Sequence, residues 1–146
     1  MKWRPLALVI AGLLFALPLA VHAALDLDRL RRLVETGKME AAYELALEHR
    51  AENEGNPRFD FYYGVAAIDT GHPGEGVFAL ERVLLHRPGL DRARLELARG
   101  YFLLGEDRRA REEFRTVLAH RPPEAVAATI ERFLEAIRRR ADQYET

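Results

Sequence analysis

The sequence predicts an all-α fold: a solenoid of three helix–turn–helix repeats followed by a C-terminal capping helix. Two observations lead there. Gly37, Gly71 and Gly105 are equally spaced, 34 residues apart. The residues around them recur at the same shift. Tyr63, Gly64, Gly76, Leu80, Val83 and Pro88 take the places of Leu97, Ala98, Ala110, Phe114, Val117 and Pro122. A weaker copy lies earlier, with Leu33, Ala42 and Ala46 in phase. Each glycine falls where a left-handed residue ends a helix, a conformation glycine adopts without a Cβ penalty. Gly64, Ala98, Gly76 and Ala110 are small enough to let paired helices approach closely. Tyr63, Leu97, Tyr101 and Phe114 fill the spaces between, and Pro88 and Pro122 stop the second helix of their units.

Taken in order, residues 1–23 have the features of a secretory signal peptide. Lys2 and Arg4 give a positive start, residues 6–19 are apolar apart from a glycine and Pro18, and Val21-His22-Ala23 offers small residues for cleavage after Ala23. The apolar run is short against the ~20 residues of a spanning helix. The expectation is export to the periplasm; the alternative is a retained inner-membrane anchor. Residues 24–146 form the repeat domain, with repeats at about 24–56, 57–90 and 91–122 and the capping helix at about 123–143.

The helices are expected at residues 25–36, 38–52, 57–70, 75–86, 91–104 and 106–120. Leu27, Leu30, Leu33 and Val34 form the apolar stripe of the first, and Ala42, Leu45 and Ala46 the inward face of the second. Asn56 is a good cap for the third, and Pro57 a good first helical residue. Arg108, Arg109, Arg111 and Arg115 of the sixth interleave with Glu112 and Glu113, the pattern of a solvated face with local ion pairs. In the last helix Val126, Ile130, Phe133, Leu134 and Ile137 make a stripe that should cover the end of the third repeat. Arg138, Arg139 and Arg140 read as a solvated helix end, where cations are favoured.

Composition excludes several functions. The chain has 22 basic and 23 acidic residues, a net charge of −1, which does not suit a general nucleic-acid binder. It has no cysteine, so disulfides and an acylated-cysteine anchor are excluded. Gly71 to Gly76 is glycine-rich, but it lacks the lysine-serine or lysine-threonine ending of a phosphate loop and no strand precedes it. His86-Arg87-Pro88 recurs as His120-Arg121-Pro122. Neither histidine has a second ligand at a recognised metal spacing, so the helix dipole explains both better. No H-E-x-x-H, G-x-S-x-G or catalytic cysteine is present. No enzyme activity, cofactor, metal or specific small molecule is expected.

Leu97, Ala98, Tyr101, Gly105, Ala110, Phe114 and Pro122 stand at the offsets of the tetratricopeptide repeat (TPR), which the chain resembles. The resemblance implies a curved array whose first helices line a concave groove. It turns Arg58, Phe61, Val65, Ile68 and Asp69 of the second repeat toward that groove, and Arg92, Leu95, Arg99, Phe102 and Leu103 of the third. Leu27, Arg31, Val34 and Glu35 take such places in the first. The groove is then apolar with a basic edge of Arg31, Arg58, Arg92 and Arg99, suited to a peptide or helix with apolar anchors and acidic character. Helical periodicity does not separate groove from core for Phe61, Phe102 and Leu103, which could instead contact the capping helix. Repeat domains that clamp a chaperone's terminal carboxylate use lysines where Leu27, Phe61 and Leu95 stand here, which argues against that role.

A narrower resemblance covers about residues 57–140. Phe59-Asp60-Phe61-Tyr62-Tyr63-Gly64, Phe78 to Leu84, and Arg121-Pro122-Pro123 with the following helix resemble the periplasmic repeat segment of the surface lipoprotein assembly modifier family. In that family the segment precedes a β-barrel; the sequence to Thr146 has no barrel strands. The expectation is a periplasmic adaptor for a protein or peptide partner, with an envelope or outer-membrane protein as one candidate, and no nucleic-acid role.

Overall fold

The computed structural model describes residues 24–143; the expected signal segment, residues 1–23, lies outside them. The described residues form seven helices: α1 (Leu27–Glu35), α2 (Met39–Asn53), α3 (Pro57–Asp69), α4 (Pro73–His86), α5 (Asp91–Leu103), α6 (Asp107–Ala119) and α7 (Glu124–Asp142). They pair as α1/α2, α3/α4 and α5/α6, with α7 packed on α6. Among the described residues there is no strand, and no helix is long and apolar enough to cross a membrane.

The turns inside the three repeats share one hydrogen-bond pattern. Gly37, Gly71 and Gly105 have φ of 74°, 85° and 75°. The residue after each glycine donates back to the carbonyl five residues earlier: Lys38 to Leu33 at 2.8 Å, His72 to Ala67 at 2.8 Å, Glu106 to Tyr101 at 2.9 Å. The glycine itself donates to Val34, Ile68 or Phe102. This double closure satisfies carbonyls that a helix end otherwise leaves open. At the start of α3, the Asn56 side chain accepts from the Arg58 and Phe59 amides. Helix α4 begins at Pro73, two residues ahead of the expected start. Proline fits a first helical position because its fixed φ suits the helix and its missing N–H has no partner there.

The core is centred on α3, where every residue from 59 to 68 is buried. Helices α1, α2, α4 and α5 all pack on it, so it is apolar on almost every side. Three glycines permit this. A Cβ on Gly76 would lie 2.5 Å from Ile68 Cγ1 and 2.7 Å from the Gly64 carbonyl oxygen. One on Gly64 would lie 2.8 Å from Leu80 Cγ, and one on Gly100 2.7 Å from Val77 Cγ2. The exception inside α3 is Asp60, fully buried. Its two oxygens accept from Arg82 Nε and Nη2 of α4 at 2.9 Å each, and Oδ2 also accepts from the Gly55 amide at 3.1 Å.

Helix α7 covers the third repeat. Ile130 and Ile137 are fully buried, and the Phe133 ring stacks on Phe114 and meets Phe102 edge-on, both at 5.0 Å between centroids. Arg140 departs from the solvated role expected of it. Its Nη1 lies 2.7 Å from Asp107 and its guanidinium sits over the Phe102 ring at 4.3 Å. The charges of α6 also act differently from expectation, bridging helices where local pairs were anticipated. Arg109 reaches Glu81 of α4 at 2.9 Å, and Glu113 accepts from Arg94 of α5 at 2.6 Å.

Gly76→Ala should lower stability by about 1–3 kcal/mol through overpacking against backbone. Gly74→Ala, in the same helix with nothing within 4 Å, should be neutral or raise stability by up to about 1 kcal/mol. Thermal unfolding followed by circular dichroism checks the contrast; equal melting temperatures would contradict it.

Candidate functional site on the inner face

Helix α1 packs on α3 and α3 on α5, whereas no comparable contact joins α2 to α4 or α4 to α6. The first helices of the repeats therefore form an inner layer and the second helices an outer one. Arg58 and Arg92 are the second residues of α3 and α5, so the repeat phase places them side by side on that layer. Between them is an open pocket of about 310 Å³, lined by Pro57, Arg58, Phe61, Tyr62, Arg87, Leu90 and Arg92. The Arg92 guanidinium lies over the Phe61 ring at 5.1 Å. Tyr62 meets Phe61 edge-on at 5.2 Å.

The other residues expected in the groove are distributed differently. Ile68 is 2 % exposed and fills the space between Gly76 and Gly100. Val65 is also buried, so little of either side chain faces a partner. Leu95 is half-buried against the core. Phe102 is half-buried and contacts α7 through Phe133 and Arg140, while Leu103 is exposed. Of the eight residues read as the groove, the pocket gathers Arg58, Phe61 and Arg92. Val65, Ile68, Leu95, Arg99 and Phe102 lie outside its lining.

The basic edge is largely neutralised by the chain itself. Arg99 binds both Glu96 and, at 2.7 Å, Asp69. Arg31 pairs with Glu35 at 2.9 Å and Asp28 at 3.5 Å, and Arg58 pairs with Asp28. The hydrogen bond from Arg58 holds the Asp28 carboxyl below its ordinary pKa. Among the described residues, no carboxylate lies within ion-pair distance of Arg87 or Arg92. Burial pushes the Glu96 carboxyl above its ordinary value, with Arg99 opposing the shift.

Polar clusters elsewhere are engaged in holding helices together. Tyr63 donates to Glu75, Tyr43 reaches both Glu75 oxygens at 3.2 Å, and Arg50 donates to the Tyr63 hydroxyl at 3.2 Å. Burial and the Glu75 acceptor push the Tyr63 hydroxyl up to about 12, so it remains a donor at neutral pH. His120 Nδ1 lies 2.7 Å from Asp91. No group of three or more His, Cys, Asp or Glu among the described residues is arranged to hold a metal ion.

Arg87, Tyr62 and Leu90 were not assigned to the site from sequence. Arg87 stood out only as a helix-end cation. No local signal in the sequence brings it to the pocket, because its place there depends on how the α4–α5 joint lies against α3.

No protein-family model matches the chain, and no curated protein sequence matches it. Solved structures show what it folds like. The second TPR domain of human RPAP3, in complex with an HSP70 peptide, superposes with a TM-score of 0.61 at 22 % identity, covering 76 % of this chain and 90 % of that one. The type III secretion translocator chaperone SycD of Yersinia enterocolitica gives 0.65 at 16 % identity, over 80 % of this chain and 83 % of its own. SycD in complex with a peptide of the translocator YopD gives 0.63 at 16 %, over 79 % and 91 %. The chain is a TPR-type α-solenoid.

The Glu96 carboxyl makes a pH prediction. Because its folded-state pKa is raised, its contribution to stability is complete below the ordinary value of 4.5 and is lost as pH rises through the folded-state value. Glu96→Gln removes this dependence. In urea unfolding the variant should therefore gain on the wild type as pH increases from 4.5. A relative stability that stays flat or falls would contradict the burial of this carboxylate.

Proposed function

We propose that the protein is a non-catalytic adaptor that holds a peptide or helix of a protein partner on the inner face formed by α1, α3 and α5. The observation that carries this is the pocket where the first helices of two repeats meet. It joins an aromatic floor to two arginines, Arg87 and Arg92, that have no carboxylate within ion-pair distance among the described residues. Support comes from chains of the same fold that hold peptides: an HSP70 peptide in the RPAP3 domain and a YopD peptide in SycD. The adaptor reading is also favoured over catalysis by the engagement of Asp60, Glu75 and Glu81 in helix contacts.

The site of action in this reading is the periplasm, and the task is cell-envelope or outer-membrane protein assembly. Lys2, Arg4, the apolar residues 6–19 and Ala23 support export. The resemblance of residues 57–140 to the repeat segment of the surface lipoprotein assembly modifier family supports an envelope partner. A mature mass beginning after Ala23 is expected; a mass retaining residues 1–23 would make the protein a membrane-tethered scaffold.

The test is to capture a partner from envelope extract by cross-linking, identify it, and measure its affinity for variants whose circular dichroism is unchanged. Arg92→Glu combined with Leu95→Asp should weaken binding by at least about tenfold, because inner-face anchors supply most of the affinity. Phe78→Ser, an exposed residue of the outer-layer helix α4, should leave it unchanged. Equal affinities would remove the inner face from the reading, and a larger effect at Phe78 would move the site to the outer layer.

A further inference from the structure

We propose that the pocket between the amino-terminal ends of α3 and α5 is a receptor for one acidic side chain of the partner peptide, glutamate or aspartate, with an apolar residue seated beside it. The inference rests on the adaptor reading and narrows it to one subsite.

Three arginines from three segments of chain line it: Arg58 from α3, Arg87 from the α4–α5 joint and Arg92 from α5. Two of them are already positioned. Arg58 is held by Asp28, which occupies only part of its five-donor fork. Arg92 is held over the Phe61 ring. Arg87 is exposed and makes no ion pair among the described residues, so no fold contact accounts for its charge. Among the acids near this end of the inner layer, Asp28 is bound to Arg58, Asp91 to His120, and Glu96, which Arg92 also attracts, to Arg99; no acid lines the pocket itself, which leaves it net positive. A guanidinium fork matches a carboxylate in a bidentate geometry.

The walls decide what else the ligand carries. Leu90 and Pro57 present apolar surface beside the three arginines, over a floor of Phe61 and Tyr62, which are 7 % and 9 % exposed. A volume of about 310 Å³ is at the small end of ligand pockets, which span ~300–1,000 Å³, and suits one or two side chains. A polyanion is disfavoured by the rest of the inner face. Beyond the pocket, Arg31 alternates with Glu35 and Arg99 with Asp69 and Glu96, so a second phosphate would meet carboxylates. The net charge of −1 points the same way. A single acidic residue with an apolar neighbour satisfies both halves of the pocket, and a peptide supplies that combination.

The test is a titration of the isotope-labelled protein followed by NMR. The probes are a blocked Ser-Leu-Glu-Phe-Ser peptide, its glutamine counterpart, its phosphoserine counterpart and a single-stranded oligothymidylate. The glutamate peptide should shift the side-chain signals of Arg58, Arg87 and Arg92 and the Leu90 amide. The glutamine peptide should bind about tenfold more weakly, the loss expected for one charge-assisted hydrogen bond. Arg87→Ala and Arg92→Ala, both at exposed positions, should each lose a similar factor, and Arg108→Ala on α6 none.

Equal affinity of the glutamate and glutamine peptides would overturn the proposal. So would an unaffected Arg87→Ala variant, or a pocket answering only to phosphoserine or to the oligonucleotide. If both peptides bind alike and shift Leu95 instead, the pocket falls while the adaptor reading stands. Absence of any shift up to about 5 mM peptide also overturns the pocket, since millimolar affinity is the weakest such a contact should show. In that case the partner-capture measurement alone decides the adaptor reading.

Discussion

The close approach of α3, α4 and α5 is the constraint on which the rest of the structure depends. Backbone meets side chain at Gly64, Gly76 and Gly100, with Leu80, Ile68 and Val77 filling the space a Cβ would occupy. Because α4 and α5 come in so far, α3 is enclosed on nearly all sides and its residues from 59 to 68 become core. Interiors packed at crystal-like density do not absorb an extra methyl without displacement. The same proximity fixes the spacing of α3 and α5, and with it the separation of Arg58 and Arg92. The pocket is thus a consequence of the repeat packing, not an addition to it.

Enclosing α3 buries Asp60, and the fold answers with Arg82. Asp60 has its oxygens satisfied by two guanidinium donors and the Gly55 amide, the condition under which a buried carboxylate is tolerated. One repeat later the position of Asp60 is held by Arg94, which pairs with Glu113 of α6 at 2.6 Å. Both repeats therefore join first helix to second by an ion pair, with opposite polarity. Asp60 is the buried member, and removing Arg82 there would cost about 3–5 kcal/mol.

The glycine phase and the apolar stripes made the three repeats, their turns and the capping helix legible in the sequence, because each depends on residues close together in the chain. Asn56, Pro57 and the 34-residue recurrence sufficed to place Arg58 and Arg92 on equivalent turns. What could not be read was how deeply neighbouring helices sink into one another. Ile68 and Val65 have the periodicity of groove residues, yet both are buried, and at Ile68 it is Gly76 and Gly100 that let α4 and α5 close over the side chain. Arg140 carries the local signature of a solvated helix end, and only the path of α7 brings it onto Phe102 and Asp107. Arg109 and Glu113 likewise found partners on other helices. Arg87 joins the pocket because the α4–α5 joint folds back beside α3, a long-range fact with no local trace.

If α3 is the element that holds the inner layer together, it should be the last to open. Repeat arrays otherwise open from their ends, because each unit contacts only its neighbours. Native-state amide hydrogen exchange, followed residue by residue, measures this directly. The account predicts that amides in the middle of α3, such as Val65 and Ile68, exchange only through global unfolding, while those of α1 and α7 exchange through lower-energy openings. Protection in α1 or α7 equal to or greater than that of α3 would contradict it.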